Sequence, residues 1–451
     1  MAQAHGEMFP NQRLRRLLIP LLAEQFLAIA IGVVATYMVS GDTPAELAAV
    51  SAVSLVENIN MLLTQVFAAL ATGGAVVAAQ YLGRGEQKRA CDAAKQLMLA
   101  VIAVSTALSA LAIGLARPIL RAIFGGIDET TMAAAITYFT VSALSYPALA
   151  MYNAGAALFR AMNNSKTPMW LSLAMNVVNV ALCTVTIRLW HMSVAGAALS
   201  ALVARVVGGA CALKLLLRPG QPLYIDQPLK IRWQGDMIKR ILRIGLPNGL
   251  EGGIFQIGKI VVMQLIASFG LAATAANGIA NTLSSVANVP GSAVTLAMLT
   301  VVGQCMGAGE VEQAARYTRR LMLYILLMMV IGNGAMLLGL SPLLTAAGLS
   351  GEAYRMARDV MVLFLLTAIP FWPPAFAMPA ALRASGDVLF VFAVSALSMW
   401  IFRIGFSYLL CLRYGMGLFG VWLSMILDWV ARGIAYEIRF LRGAWREKRV
   451  L

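Results

Sequence analysis

Gln80-Tyr-Leu-Gly83-Arg-Gly85-Glu86 closes one long apolar run, and Gln304-Cys-Met-Gly307-Ala-Gly309-Glu310 closes another 224 positions later. The same spacing recurs on both sides. Pro20-Leu-Leu-Ala-Glu24 is echoed by Pro247-Asn-Gly-Leu-Glu251 at an offset of 227. Leu158-Phe-Arg160-Ala161 is echoed by Ala381-Leu-Arg383-Ala384, and Pro147 by Pro370, both at 223. Gly196 with Leu199-Ser200 matches Gly420 with Leu423-Ser424 at 224. So steady an offset over ordered motifs marks two related halves.

Between these motifs lie runs long enough to cross a bilayer, for which a helix needs about 20 apolar residues. They are Leu17–Val39, Leu47–Gly73, Leu97–Ala116, Met132–Phe159, Met169–Leu189 and Val194–Leu217 in the first half. The second half holds Ile241–Ser268, Ala273–Met298, Leu321–Leu340, Val360–Leu382, Val388–Leu412 and Leu418–Phe440. An even number of spans brings each half back to the side where it began, so the halves should be related by an axis along the membrane normal. The fold expected is an all-α integral membrane protein of about twelve transmembrane helices in two pseudo-symmetric six-helix lobes. Residues 1–217 form the first lobe and 218–240, with Pro219, Pro222 and Pro228, a cytoplasmic linker; 241–451 form the second lobe with a basic tail.

Composition agrees. Of 451 residues, 60% are hydrophobic and 12% charged, against roughly a quarter charged in soluble domains. The net charge of +15 invites a nucleic-acid reading, but the basic residues form short clusters between apolar runs, as the positive-inside rule predicts. With residues up to three positions inside a span's end counted to the adjoining side, 25 of the 35 Lys and Arg lie on the side of the N-terminus, six on the other and four deep inside spans. Both termini are therefore expected in the cytoplasm of a multi-pass plasma-membrane protein. The first run is too long for the apolar core of a signal peptide, about 7–15 residues. Five cysteines without CxxC spacing and two loop histidines suggest neither a disulfide framework nor a metal site. No HExxH or paired-His constellation supports a membrane enzyme.

At these motifs the chain resembles the multidrug and toxic compound extrusion (MATE) transporters. Besides the two Gln-x-x-Gly-x-Gly segments, the resemblance rests on Gly245-Leu-Pro-Asn-Gly-Leu-Glu-Gly-Gly-Ile-Phe-Gln256-Ile-Gly-Lys259 in span 7 and Ala275-Ala-Asn-Gly-Ile-Ala-Asn281 in span 8. Asn176-x-x-Asn179 in span 5 and Arg383-Ala-Ser-Gly-Asp387 before span 11 complete it. The resemblance implies two lobes facing a central cavity and export of small organic, often cationic, compounds against inward H⁺ or Na⁺. It implies no other cofactor and no partner beyond substrate and membrane lipid; the chain is expected to be a monomer. One departure stands out: where many members carry an acid in a Gly-x-x-Asp-Thr pattern, Gly32-Val-Val-Ala35-Thr36 has Ala35. Which ion is coupled therefore stays open. A flippase for a lipid-linked precursor is the alternative of related fold. It would need a cationic cavity for a pyrophosphate, whereas the cytoplasmic-half candidates are acidic.

Ionisable groups inside spans are costly and mark candidate sites. Glu57, near the middle of span 2 in Glu57-Asn58-Ile59-Asn60, is the first, with Asn281 as its repeat equivalent. Glu24 and Glu251 are repeat partners in spans 1 and 7. Each could bind a proton, Na⁺ or a cationic substrate, or simply join helices. Asn58, Asn60, Asn176, Asn179, Gln256 and Asn281 are candidate polar lining. Asp428 and Arg432, four apart, share a helix face and read as a salt bridge. Lys259 should pair with another helix or snorkel, and Arg205 and Arg403 should each neutralise an acid across helices. Pro147, Pro290 and Pro370 are hinge candidates, because each removes a backbone hydrogen bond.

Overall fold

A computed structural model describes residues 7–39, 44–125, 128–190, 192–226 and 232–448, without the side chains of 29–39, 44–52, 54, 58, 188 and 193. The described residues are helical, with no strand among them. The chain divides into two compact units, Phe26–Gly249 and Met1–Gln25 with Leu250–Leu451. Both divisions fall inside a helix.

The elements of the Phe26–Gly249 unit are the end of α1 (Asn11–Val39), α2 (Pro44–Gly83), α3 (Gln87–Gly114), α4 (Ala116–Phe124), α5 (Glu129–Leu144), α6 (Tyr146–Ala161), α7 (Lys166–Thr184), α8 (Ser193–Leu216) and the start of α9 (Gly235–Ala267). Phe67, Val77, Leu97, Phe139, Leu158 and Phe159 are its large buried residues. Small residues bring backbones together, as they do where lipid supplies no hydrophobic drive. The stretch after α8 is tied to α3: Gln96 donates to the Arg232 carbonyl at 2.7 Å and accepts the Gln234 N–H at 3.1 Å. Lys95 pairs with Asp226, whose exposed carboxyl is held below its ordinary value by that hydrogen bond.

In the other unit follow α10 (Leu271–Ala287), α11 (Val289–Gly307), α12 (Val311–Leu338), α13 (Leu340–Ala346), α14 (Gly351–Trp372), α15 (Met378–Ser385), α16 (Val388–Ser398), α17 (Phe406–Tyr408) and α18 (Gly417–Leu441). Phe364, Phe376, Trp372, Trp422 and Trp429 form a chain of ring contacts 5.1–5.7 Å apart in its core. The beginning of the chain joins this core. Leu14, Leu17 and Leu21 are buried within it, and Phe9 donates its N–H to the Tyr317 hydroxyl at 2.9 Å. On the outside, Leu323, Leu327 and Ile331 of α12 stand exposed at four-residue spacing. In water such a stripe would drive aggregation; in a bilayer it meets lipid tails.

Repeated motifs make repeated turns. Gly85 and Gly309 have φ of 79° and 78°. Each is followed by an N–H that reaches back five residues: Glu86 to the Tyr81 carbonyl at 3.0 Å, and Glu310 to that of Cys305 at 2.9 Å. These left-handed helix ends explain the second glycine of Gln-x-x-Gly-x-Gly. Asn163 and Gly386, likewise equivalent, have φ of 64° and 105°.

Ten described helices are long and apolar enough to cross a membrane, or eleven with α5 and α6 taken as one broken span; α1 precedes them. The span expected over Ala273–Met298 is instead two helices, α10 and α11, broken at Asn288 with Pro290 in the first turn of α11. Its apolar member runs on to Gly307. The sequence window had centred on the polar stretch before the break. Pro147 follows a bend of 47° at Ser145. Its equivalent Pro370 lies within α14, ahead of a π-helical turn, Pro373–Ala377. There Pro373 and Pro374 lack the N–H that a regular α-turn needs.

Candidate functional site

In the Phe26–Gly249 unit, half-buried Glu57 projects from α2. Asn60, one turn on, donates its side-chain amide to Glu57 Oε1 at 2.9 Å. The Tyr138 hydroxyl of α5 donates to the same oxygen at 2.8 Å, and the Tyr146 hydroxyl of α6 donates to Asn60 Oδ1 at 2.8 Å. The two phenols come from either side of the α5–α6 break. Among the described residues no cation lies within 4 Å of Glu57, so neutral donors alone hold this carboxylate. Arg205, expected to neutralise an acid, has no carboxylate within 4 Å among the described residues; its Nη1 donates to Ser145 Oγ, at the break itself, at 2.8 Å. The side chains of Asn58 and Ala35 lie outside the described residues. Sequence reasoning had found Glu57 and Asn60 but not Tyr138. Its signal was there in hindsight: a phenol two turns before Tyr146, flanking a proline-marked break.

Glu251 is differently held. Arg383 Nη2 reaches both carboxylate oxygens, at 2.8 and 2.7 Å, and Ser395 Oγ donates to Oε1 at 2.7 Å. The Ser395 and Tyr436 hydroxyls are 2.7 Å apart. This charge-balanced clamp joins α9, α15, α16 and α18. Glu24, its repeat partner, is buried in α1.

Asp428 of α18 is fully buried. Its Oδ2 lies 3.0 Å from Arg432 Nη2, the contact that four-residue spacing requires, and 3.8 Å from Arg403 Nη1. Ser398 Oγ donates to Oδ1 at 2.5 Å. The Arg403 and Arg432 guanidinium carbons lie 5.2 and 5.8 Å from the Phe255 ring centroid. Lys259, one turn after Phe255 on α9, places Nζ 5.2 Å from the same ring. Lys259 is exposed and has no carboxylate within 4 Å among the described residues. Of the two expectations for Lys259, a partner on another helix or snorkelling, the described residues show no carboxylate partner; its contact is with the ring on its own helix.

The amide candidates scatter. Asn281 is exposed and donates to the Asn277 carbonyl of its own helix at 2.8 Å. Asn277, one turn earlier, is the buried amide, accepting the Trp422 indole N–H at 3.1 Å. Asn176 bonds back to the Ser172 carbonyl at 2.8 Å. Asn179 and Gln256 are half-buried and have no hydrogen-bond partner among the described residues.

Repeated helical halves with carboxylates and guanidinium groups inside apolar spans define a multi-pass membrane transporter. The MatE family profile matches residues 20–185 and 247–409, one segment in each half, and the chain belongs to that family. It is 24% identical to the probable multidrug resistance protein NorM of Thermotoga maritima, over 98% of this chain and 94% of that protein. It is also 24% identical to YisQ of Bacillus subtilis, an uncharacterized transporter by name, over 95% and 94%. A solved structure of a MATE protein in a straight conformation superposes with a TM-score of 0.90 at 18% identity, covering 98% of each chain.

Proposed function

We propose that this transporter exports small organic compounds, cationic ones among them, from the cytoplasm across the plasma membrane by H⁺- or Na⁺-coupled alternating access. Both termini face the cytoplasm in this reading, which the distribution of Lys and Arg supports. Glu57 is the group that exchanges the coupling ion or meets the positive charge of the substrate. The observation that carries this is its neutral shell: Glu57 is held by a phenol and an amide, whereas Glu251 and Asp428 are already bound to guanidinium groups. A carboxylate inside a span with no cation within 4 Å among the described residues is open to a proton, a metal ion or an organic cation in turn. The break beside Pro147 places Tyr138 and Tyr146 where bending of this span would loosen that shell.

The experiment is efflux of ethidium from proteoliposomes under separately imposed proton and sodium gradients. Export should follow one gradient and fall about tenfold or more in Glu57→Gln, which corresponds to a barrier raised by at least about 1.4 kcal/mol. Full gradient-driven efflux in that variant would remove Glu57 from the pathway. No efflux of any organic cation under either gradient would sink the cationic-substrate reading.

A further inference from the structure

The geometry points to an anion site in the Leu250–Leu451 unit, where Lys259, Arg403 and Arg432 around the Phe255 ring bind the carboxylate, sulfonate or phosphate group of an organic molecule. It extends the export reading by naming a second charge class of cargo, and rests on that reading only for what happens after binding.

Three cations converge on one ring, and the one carboxylate beside them is Asp428. Glu251, earlier on the same helix as Lys259, is engaged by Arg383. The cluster therefore carries an excess of two positive charges. Uncompensated charge within an apolar span is expensive, and a protein keeps it where a counter-charge arrives from outside. Lys259 and Arg403 face the same ring, each 5.2 Å from its centroid, so an incoming anion would relieve a repulsion as well as form bonds.

Donors are available for it. Arg432 is 4% exposed, yet its Nε has no acceptor among the described residues. Lys259 is exposed and offers an ammonium at the open side of the cluster. Two π-helical turns shape the rest. Met399–Gly405 contains Arg403, and Pro373–Ala377 presents Phe376, over which the Arg432 guanidinium stacks at 4.9 Å. Such turns within α-helices are often found at functional sites. Half-buried Phe255 gives an apolar floor for the organic body while the cations take its charge.

A free organic anion and a lipid headgroup share this chemistry, so the test must separate them. The measurement is calorimetry on the full chain in phosphatidylcholine nanodiscs, using naphthalene sulfonate and the naphthyl trimethylammonium of the same ring. The sulfonate should bind, and Lys259→Gln should lower its affinity about tenfold while leaving the ammonium, the charge class assigned to Glu57, unchanged. No sulfonate binding, sulfonate binding unchanged in Lys259→Gln, or an equal loss of both probes in that variant overturns the proposal. Because Lys259 is exposed, the variant does not disturb a packed core. Repetition in nanodiscs containing phosphatidylglycerol identifies the source. Sulfonate binding weakened there in wild type but not in Lys259→Gln assigns the site to a headgroup. Binding equal in both discs assigns it to a free anion. No gradient is applied, so a failure here is distinct from a failure of coupled export.

Discussion

Glu57 and Asp428 are both acids within membrane spans, and their surroundings are opposite. Glu57 sits among phenol and amide donors; Asp428 is flanked by two guanidinium groups with a lysine beyond them. The repeat sharpens the contrast. Arg432, Arg403 and Asp428 stand 224 positions after Gly208, Asn179 and Ala204, and Glu57 stands 224 before Asn281. The turns at Gly85 and Gly309 are nearly superposable in φ, but the charges at these positions have not been kept. Backbone geometry is dictated by the helix ends each half must make, whereas the charges around Glu57 and Asp428 differ between the halves.

The largest test of that contrast is stability. Asp428→Asn leaves two buried guanidinium groups facing a neutral amide and should cost about 3–5 kcal/mol. Glu57→Gln, in its neutral shell, keeps an acceptor for Tyr138 and should cost under about 1 kcal/mol. Thermal unfolding in detergent compares them, and equal losses would break the distinction. The turns predict the reverse, equality. Gly85→Ala and Gly309→Ala each force a side chain into the left-handed region with no neighbouring atom within 4 Å, so each should cost about 1–2 kcal/mol. A marked difference between them would show that the two halves are not equivalent even in their turns.

The smallest effect lies at the start of α5. The exposed Asp128 carboxyl is pulled down to about 2, first by the Thr130 hydroxyl and then by the Thr131 N–H. A depressed carboxyl stabilises the fold above its unfolded pKa of about 4. That contribution fades as pH falls through about 2. The hydrogen-exchange protection factor in the first turn of α5, relative to the intrinsic rate at each pH, should therefore fall with acid in wild type, and in Asp128→Ala should be low already at neutral pH.

Much of this was legible in the chain itself. Hydropathy located the spans, the offset exposed the repeat, and four-residue spacing put Arg432 beside Asp428. What escaped depends on registers that no local pattern records. Arg403 meets Asp428 and Phe255 from a π-helical turn that shifts the face of its helix. Glu251 meets Arg383 across 132 residues. Asn277 is buried against Trp422, whereas Asn281, one turn on, is exposed.

The docking of Phe9 on Tyr317, 308 residues downstream, sets an order of assembly. A ribosome adds about 5–20 residues per second, so the opening segment waits on the order of tens of seconds for its partners to be made. Phe26–Gly249 has its own complement as soon as Gly249 is synthesised. The chain thus finishes its middle first and closes its beginning last, and for that interval Phe9, Leu14, Leu17 and Leu21 are apolar side chains still without the core they pack into.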